Sequence, residues 1–206
     1  AANGVAVVNI AAIGGSAAGF LTVKPCGGAQ PPTSNLNFAP GQVVSALTAA
    51  PLTSGAMCLV SSVAVDVIVD VTGGFEPTAT GRFVASQPFR FLDTRRTDTP
   101  WTGRLKPNEP IDLNVRSIGN VPGDVVGVAF NAAVVDVDGP GFLTLYPCGA
   151  VPPTSSLNFG ATGATANLSV TGLSSSGALC AVASTRANLI LDLQGIFVPP
   201  PPPPPP

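Results

Sequence analysis

Apolar and polar positions alternate with a period of two along several short stretches of the chain. In VAVDVIVDV, Val63, Val65, Val67, Val69 and Val71 share one face, while Ala64, Asp66, Ile68 and Asp70 share the other. Gly73 and Gly74 close the run, which is the pattern of a half-buried strand. LILDL (189–193) repeats it, with Asp192 placed like Asp70. GFLTVKP (19–25) sets Phe20, Thr22 and Lys24 against Leu21 and Val23 and ends at a proline, as a strand end does. Ile111, Leu113 and Val115 against Asp112, Asn114 and Arg116 predict a further strand over 111–116. No long window carries a 3.6-residue period, and 23 glycines and 23 prolines punctuate the 206 residues. The pattern predicts an all-β chain of short antiparallel strands, arranged as sandwiches or barrels.

The strand-like phrases occur twice. GFLTVKPCG (19–27) returns as GFLTLYPCG (141–149), and PPTSNLNF (31–38) returns as PPTSSLNF (152–159). LTSGAMC (52–58) corresponds to LSSSGALC (173–180), and DVIVDVTGGF (66–75) to NLILDLQGIF (188–197). The offset stays at 121 or 122 throughout, so the chain is a tandem duplication of one long module. The expected organisation is β-module 1 over 1–76, a linker over 77–83, β-module 2 over 84–198 and a tail over 199–206.

The copies are unequal. Residues 77–122, with RFLDTRRTDTPWTG (90–103) and EPIDLNVRSIGNVP (109–122), have no counterpart in the first copy. Module 1 is therefore expected to lack an opening segment that module 2 has, which leaves sheet edges unpaired. Three readings compete: a piece of a longer array, a shorter variant that folds by itself, or a gap filled by a neighbouring molecule through strand addition. The tail is eight consecutive prolines. It predicts a stiff polyproline II rod of roughly 25 Å. Such rods pack on aromatic grooves, which makes Trp101 and Tyr146, the single Trp and single Tyr, the candidate docks.

Composition narrows the function. Charged residues make up 10% of the chain, against about 25% in an average soluble protein, and the net charge is −2. No basic face for nucleic acid is expected, and no run of 18 apolar residues predicts membrane insertion. The chain has no histidine, which removes the commonest general base and metal ligand. No cofactor is expected, and the chain is read as not an enzyme. Four cysteines, Cys26, Cys58, Cys148 and Cys180, keep the same spacing within each copy. Of the three possible pairings, 26–58 with 148–180 alone makes each module self-contained; four buried thiols are the other reading.

Taken together the phrases resemble those of a family of tandem β-modules in secreted proteins of actinobacteria and some other bacteria. The resemblance rests on RFLDTR (90–95), SIGNVP (117–122), FNAAVV (130–135), GFLTLYPCG, SSLNF (155–159) and LDLQGIF (191–197), with VNIAAI, GFLTVKPCG, SNLNF and VDVTGGF in the first copy. It covers nearly everything but the tail, and module 1 departs from it by having no D-T-R phrase. It implies an extracellular, cell-surface or wall-associated scaffold and supplies no active site.

Among the polar residues, Asp93 and Arg95 are spaced to share a strand face and form a candidate structural ion pair. Asp66 with Asp70, and Asp136 with Asp138, are read as solvent-facing strand carboxylates rather than calcium ligands. The expected function is a structural subunit of a bacterial surface layer, stalk or filament that self-associates head to tail. The alternative is a carbohydrate- or cell-wall-binding module, with glycans or wall polymer as partner.

Overall fold

The computed structural model of the protein describes residues 4–76, 79, 81–117 and 121–200. The tail residues 201–206, and with them any docking of the tail, lie outside the described residues. The fold is all-β, with antiparallel strands in four small sheets. In the first half, β1 (Val5–Ile13), β4 (Val43–Pro51) and β6 (Asp66–Phe75) form one sheet in the order β4-β1-β6. β2 (Gly19–Pro25), β3 (Leu36–Phe38) and β5 (Met57–Ser61) form the facing sheet in the order β3-β2-β5. In the second half, β12 (Thr165–Gly172), β9 (Gly127–Val135), β14 (Asn188–Val198) and β7 (Arg82–Asp93) stand in that order. They face β11 (Leu157–Phe159), β10 (Gly141–Pro147), β13 (Ala178–Ala183) and β8 (Ile111–Asn114).

The duplication is exact in topology as far as module 1 goes. β1 to β6 reproduce β9 to β14 strand for strand, and β7 and β8 are the pieces with no counterpart. Both are edge strands, one on each sheet. Even the irregularity repeats: β1 and β6 slip register beside Thr72, and β9 and β14 slip beside Gln194, each followed by a glycine. A bulge of this kind sharpens the local twist, and its recurrence marks it as part of the module's design.

The repeated GFLT…LNF phrases have a packing reason. Gly19 pairs across strands with Phe38, and Gly141 with Phe159. A Cβ on Gly19 would come within 2.9 Å of the Phe38 ring, and one on Gly141 within 2.9 Å of the Phe159 ring. The aromatic side chain covers the glycine, so the two positions are fixed as a pair.

The two cores differ in size. Val8, Ile10, Ala12, Leu21, Val23, Leu36, Phe38 and Ala50 make up the buried core of module 1. Module 2 adds to the same positions Leu92, Leu105, Ile111, Leu113 and Val115, all from residues 82–117. The strand expected over 111–116 stops at Asn114. The Asn114 side chain accepts the backbone N–H of Arg116 at 3.1 Å, and Val115–Ser117 form a single 3-10 turn.

The modules meet through a polar seam. The outer face of the β4-β1-β6 sheet lies against β11 and β12. Asn9 alternates with the core residues Val8 and Ile10, so it faces away from its own core, yet it is fully buried. Its Nδ2 donates to the Ser155 carbonyl at 2.7 Å, and its Oδ1 accepts from Asn167 Nδ2 at 3.0 Å. Asn167 also donates to the Ser156 carbonyl at 2.8 Å and accepts the Leu47 N–H at 3.0 Å. Asn167→Ala removes one side chain and strands three partners at once. An unpaired buried polar group costs about 1–3 kcal/mol. The variant is expected to lose about 2–3 kcal/mol of coupling between the modules. Hydrogen exchange checks this: β4 and β12 amides should speed up together, with those at the centre of β13 unchanged.

Candidate functional site

The R-F-L-D-T-R phrase is a clasp. Arg90 ends its side chain on Asp192 of β14, Nε donating to Oδ1 at 2.7 Å and Nη2 to Oδ2 at 3.0 Å. β7 ends at Asp93, and the chain turns. Across that turn Arg95 donates twice to Asp93, from Nε to Oδ1 and from Nη2 to Oδ2, both at 2.8 Å. Arg90 adds a longer ion pair to Asp93 at 3.6 Å. Thr94 donates its hydroxyl to the Asn188 side chain at 2.9 Å and accepts the Leu189 N–H at 3.0 Å. Arg90 and Thr94 thus fasten β7 to β14, and Asp93 with Arg95 pins the turn between them.

The Arg95 guanidinium holds the buried Asp93 carboxyl at about 2, below its ordinary 3.8. A depressed carboxylate stabilises the fold above its unfolded pKa, and that stability is lost as pH falls through the folded value. The window here runs from about pH 4 down to about pH 2, and the shift corresponds to about 2 kcal/mol. Asp93→Asn should be less stable than the parent at pH 7, with the gap closing by pH 2. Thermal melts of both proteins across that range check the sign.

The two disulfides close within each module. Cys26–Cys58 joins the end of β2 to β5, with Cα atoms 5.0 Å apart, and Cys148–Cys180 does the same for β10 and β13 at 4.8 Å. Asp112 sits beside the second pair, but both sulfurs are bonded to each other and unavailable to a metal. Tyr146 is 3% exposed, packed with Cys148, Cys180 and Val182. Burial pushes its phenol up. Trp101 is 40% exposed, on the loop after the clasp. Of the carboxylates outside the clasp, Asp70 accepts the Ser155 N–H, Asp136 the Asn188 amide, and Asp138 the Arg104 guanidinium.

The largest departure from a closed sandwich is the outer edge of β6 and of β5. Among the described residues no strand pairs with either. In module 2, Leu191 and Leu193 of β14 are 0% and 2% exposed; their counterparts Val69 and Val71 are 38% and 70% exposed. The same strand face that forms the core of one module thus lies open in the other. Ile68 and Phe75 on the same strand are also exposed. Alternation along the sequence identified this face; among the described residues nothing stands where β7 covers β14.

Two glycines covered in module 2 are open at the equivalent positions of module 1 among the described residues. Gly195 of β14 lies under the Phe83 ring of β7, where a Cβ would meet the ring at 2.4 Å and the Val84 carbonyl at 2.8 Å. Its counterpart Gly73 has nothing within 4 Å among the described residues. Gly177 lies under the Arg116 side chain, with a Cβ 2.3 Å from it, and its counterpart Gly55 is likewise open. Asp70 stands where Asp192 receives Arg90, and Asp66 where Asn188 receives Thr94.

A groove of about 490 Å³ runs along the junction, lined by Ile68 and Asp70 of β6 and by Phe142, Pro152, Ser155 and Asn158 of module 2. No helix among the described residues is long and apolar enough to cross a membrane. Two disulfides point to an oxidising, extracellular setting. No known protein family, no curated protein and no solved structure matches this chain.

Proposed function

We propose that the chain is a non-enzymatic extracellular structural protein, a subunit of a bacterial surface layer, stalk or filament. One observation carries the reading: a duplicated sandwich in which, among the described residues, one module leaves an unpaired sheet edge on each of its two layers, with Val69 and Val71 exposed on β6. Unpaired edges are templates for pairing with another chain, and folded proteins usually cover, charge or shorten them. Here β6 is long and valine-rich. Low charge favours close lateral packing, and the absence of histidine together with the pairing of Arg90, Asp93 and Arg95 in ion pairs supports a structural rather than a catalytic role. Sedimentation over a wide concentration range, with electron microscopy of the same samples, tests it. Concentration-dependent assembly into fibres or sheets is expected; strictly monomeric material without fibres at high concentration overturns it.

A carbohydrate- or wall-binding role is the second reading, supported by the junction groove. There the exposed Phe142 ring stands near Asp70, Asn108 and Asn158, an apolar face with polar groups around it. Phe142→Ala should abolish retention on purified wall polymer if this groove binds it; unchanged retention removes the groove from consideration.

A further inference from the structure

We infer, on the structural reading above, that the seam between modules 1 and 2 is also the joint between molecules: the outer face of the β12-β9-β14 layer of one copy seats on residues 33–37 of a second copy. The seam has two unlike sides. The seating side is the outer face of the β4-β1-β6 sheet, with Asn9, Leu47 and Asp70. The receiving side is the stretch Ser155–Asn158 with the edge of β12. The Ser155 carbonyl accepts from Asn9 at 2.7 Å, the Ser155 N–H donates to Asp70 at 3.1 Å, and the Asn158 N–H donates to Ser45 Oγ at 3.2 Å. All three receiving groups are main chain, so a second copy of the same loop offers them again.

Both modules carry both sides. PPTSNLNF of module 1 is PPTSSLNF of module 2, so Ser34 and Asn37 stand where Ser155 and Asn158 stand. Asn9 has its counterpart in Asn131, Leu47 in Leu168 and Asp70 in Asp192. The register agrees: Asn9 pairs across strands with Leu47 and Asp70, and Asn131 with Leu168 and Asp192. Asparagine is poorly suited to a strand interior, yet it stands at the centre of both VAVVNIAAI and GVAFNAAVV. Asp192 receives Arg90 once on each oxygen, and a carboxylate accepts about four bonds, so it can still take the Ser34 N–H.

Burial separates the sides in use from those that are free. Asn9 is 1% exposed and Ser156 8%, whereas Leu168 is 44% exposed and Asn131 half-buried. Ser34, Asn35 and Asn37 are exposed, and among the described residues no strand pairs with the outer edge of β3. Two unlike surfaces on one molecule join head to tail, which builds an open filament or closes a ring. The joint is weaker than the seam. Module 1 has Ala46 in the place of Asn167, and module 2 has Ala166 in the place of Ser45, so the bonds of Asn167 to Asn9 and Leu47 and of Ser45 to Asn158 have no counterpart. Association is therefore reversible and concentration-dependent.

Two variants of the full chain test the joint by analytical ultracentrifugation. Leu168→Lys charges the seating face and Asn37→Glu the receiving face. Both positions are exposed, so neither change should lower the melting temperature. Each variant alone should associate at least about tenfold more weakly than the parent, because a charge would have to be buried unpaired. An equimolar mixture of the two should form one-to-one dimers and nothing longer, since only one intact pair of faces remains. Association unaffected by either variant, a mixture that stays monomeric or grows beyond dimers, or dimers formed by one variant alone would each overturn the inference. Its failure is separable from that of the structural role. Parent fibres that survive both changes reject this joint alone. Discrete parent rings that both changes abolish keep the joint and reject assembly into fibres or sheets.

Discussion

Replacing Cys26 and Cys58 together by serine is expected to unfold module 1 near physiological temperature while module 2 stays folded. The bridge spans 32 positions and, in the chain-entropy picture, contributes roughly 3–4 kcal/mol. Module 1 has little else in reserve. Its core lacks every residue that the 82–117 segment adds to module 2, Val71 gains little from folding because it stays 70% exposed, and Val69 is only partly covered. The matching pair of changes at Cys148 and Cys180 removes a bridge of the same span from a larger core, so it should lower the melting temperature without unfolding the module. The single Trp and single Tyr both lie in module 2, so intrinsic fluorescence follows that module alone. Hydrogen exchange by mass spectrometry is the measurement that separates the two: for the first pair of changes, amides of β1 and β2 should exchange fully while those of β9 and β10 remain protected. Equal loss in both modules would refute the difference in core size as the deciding factor.

Gly195→Ala and Gly73→Ala should have opposite consequences although they are the same change at equivalent positions. At Gly195 the new methyl meets the Phe83 ring at 2.4 Å and, more seriously, the Val84 carbonyl at 2.8 Å. A ring can swing away, but backbone in a strand ladder cannot, so β7 must separate from β14. Overpacking of this kind costs typically 1–3 kcal/mol, and with the ladder disturbed the loss should be about 3 kcal/mol. At Gly73 the methyl meets nothing among the described residues, and relief of glycine's entropic cost makes the change neutral or stabilising by up to about 1 kcal/mol. Denaturant titration of the two variants checks both signs. A destabilised Gly73→Ala would mean that something already occupies the edge.

Much of this architecture was legible in the sequence. Alternation placed Val67, Val69 and Val71 on one face, the repeat equated Asp70 with Asp192, and the unmatched 77–122 stretch marked where the two copies differ. Those inferences depend on local period and self-comparison, which a sequence carries openly. Three features were not legible because they depend on residues far apart in the chain. Asp93 and Arg95 were expected to meet on a strand face; they meet across a turn, because β7 ends where Thr94 bonds to Asn188 and Leu189. The partner of Arg90 is Asp192, 102 positions away, and no spacing rule finds it. Asn9 sits in an apolar run, and the alternation turns it outward, but nothing local says that a second module will bury it. The glycine seats became visible only when the two copies were compared with side chains in place.

The pairing of Val5 with Phe75, and of Arg82 with Val198, has a mechanical consequence. In module 2 the strand through which the chain enters from module 1 lies antiparallel to the strand through which it leaves, with both openings at the same end, and β1 and β6 are paired in the same way. Tension applied along the polypeptide therefore peels those strands apart one hydrogen bond at a time, rather than shearing all of the bonds together. A thread of such modules would part under small forces if it were pulled lengthwise. A surface assembly built from them has to carry stress sideways, through seams like that of Asn9 and Asn167 and through whatever strands seal the open edges.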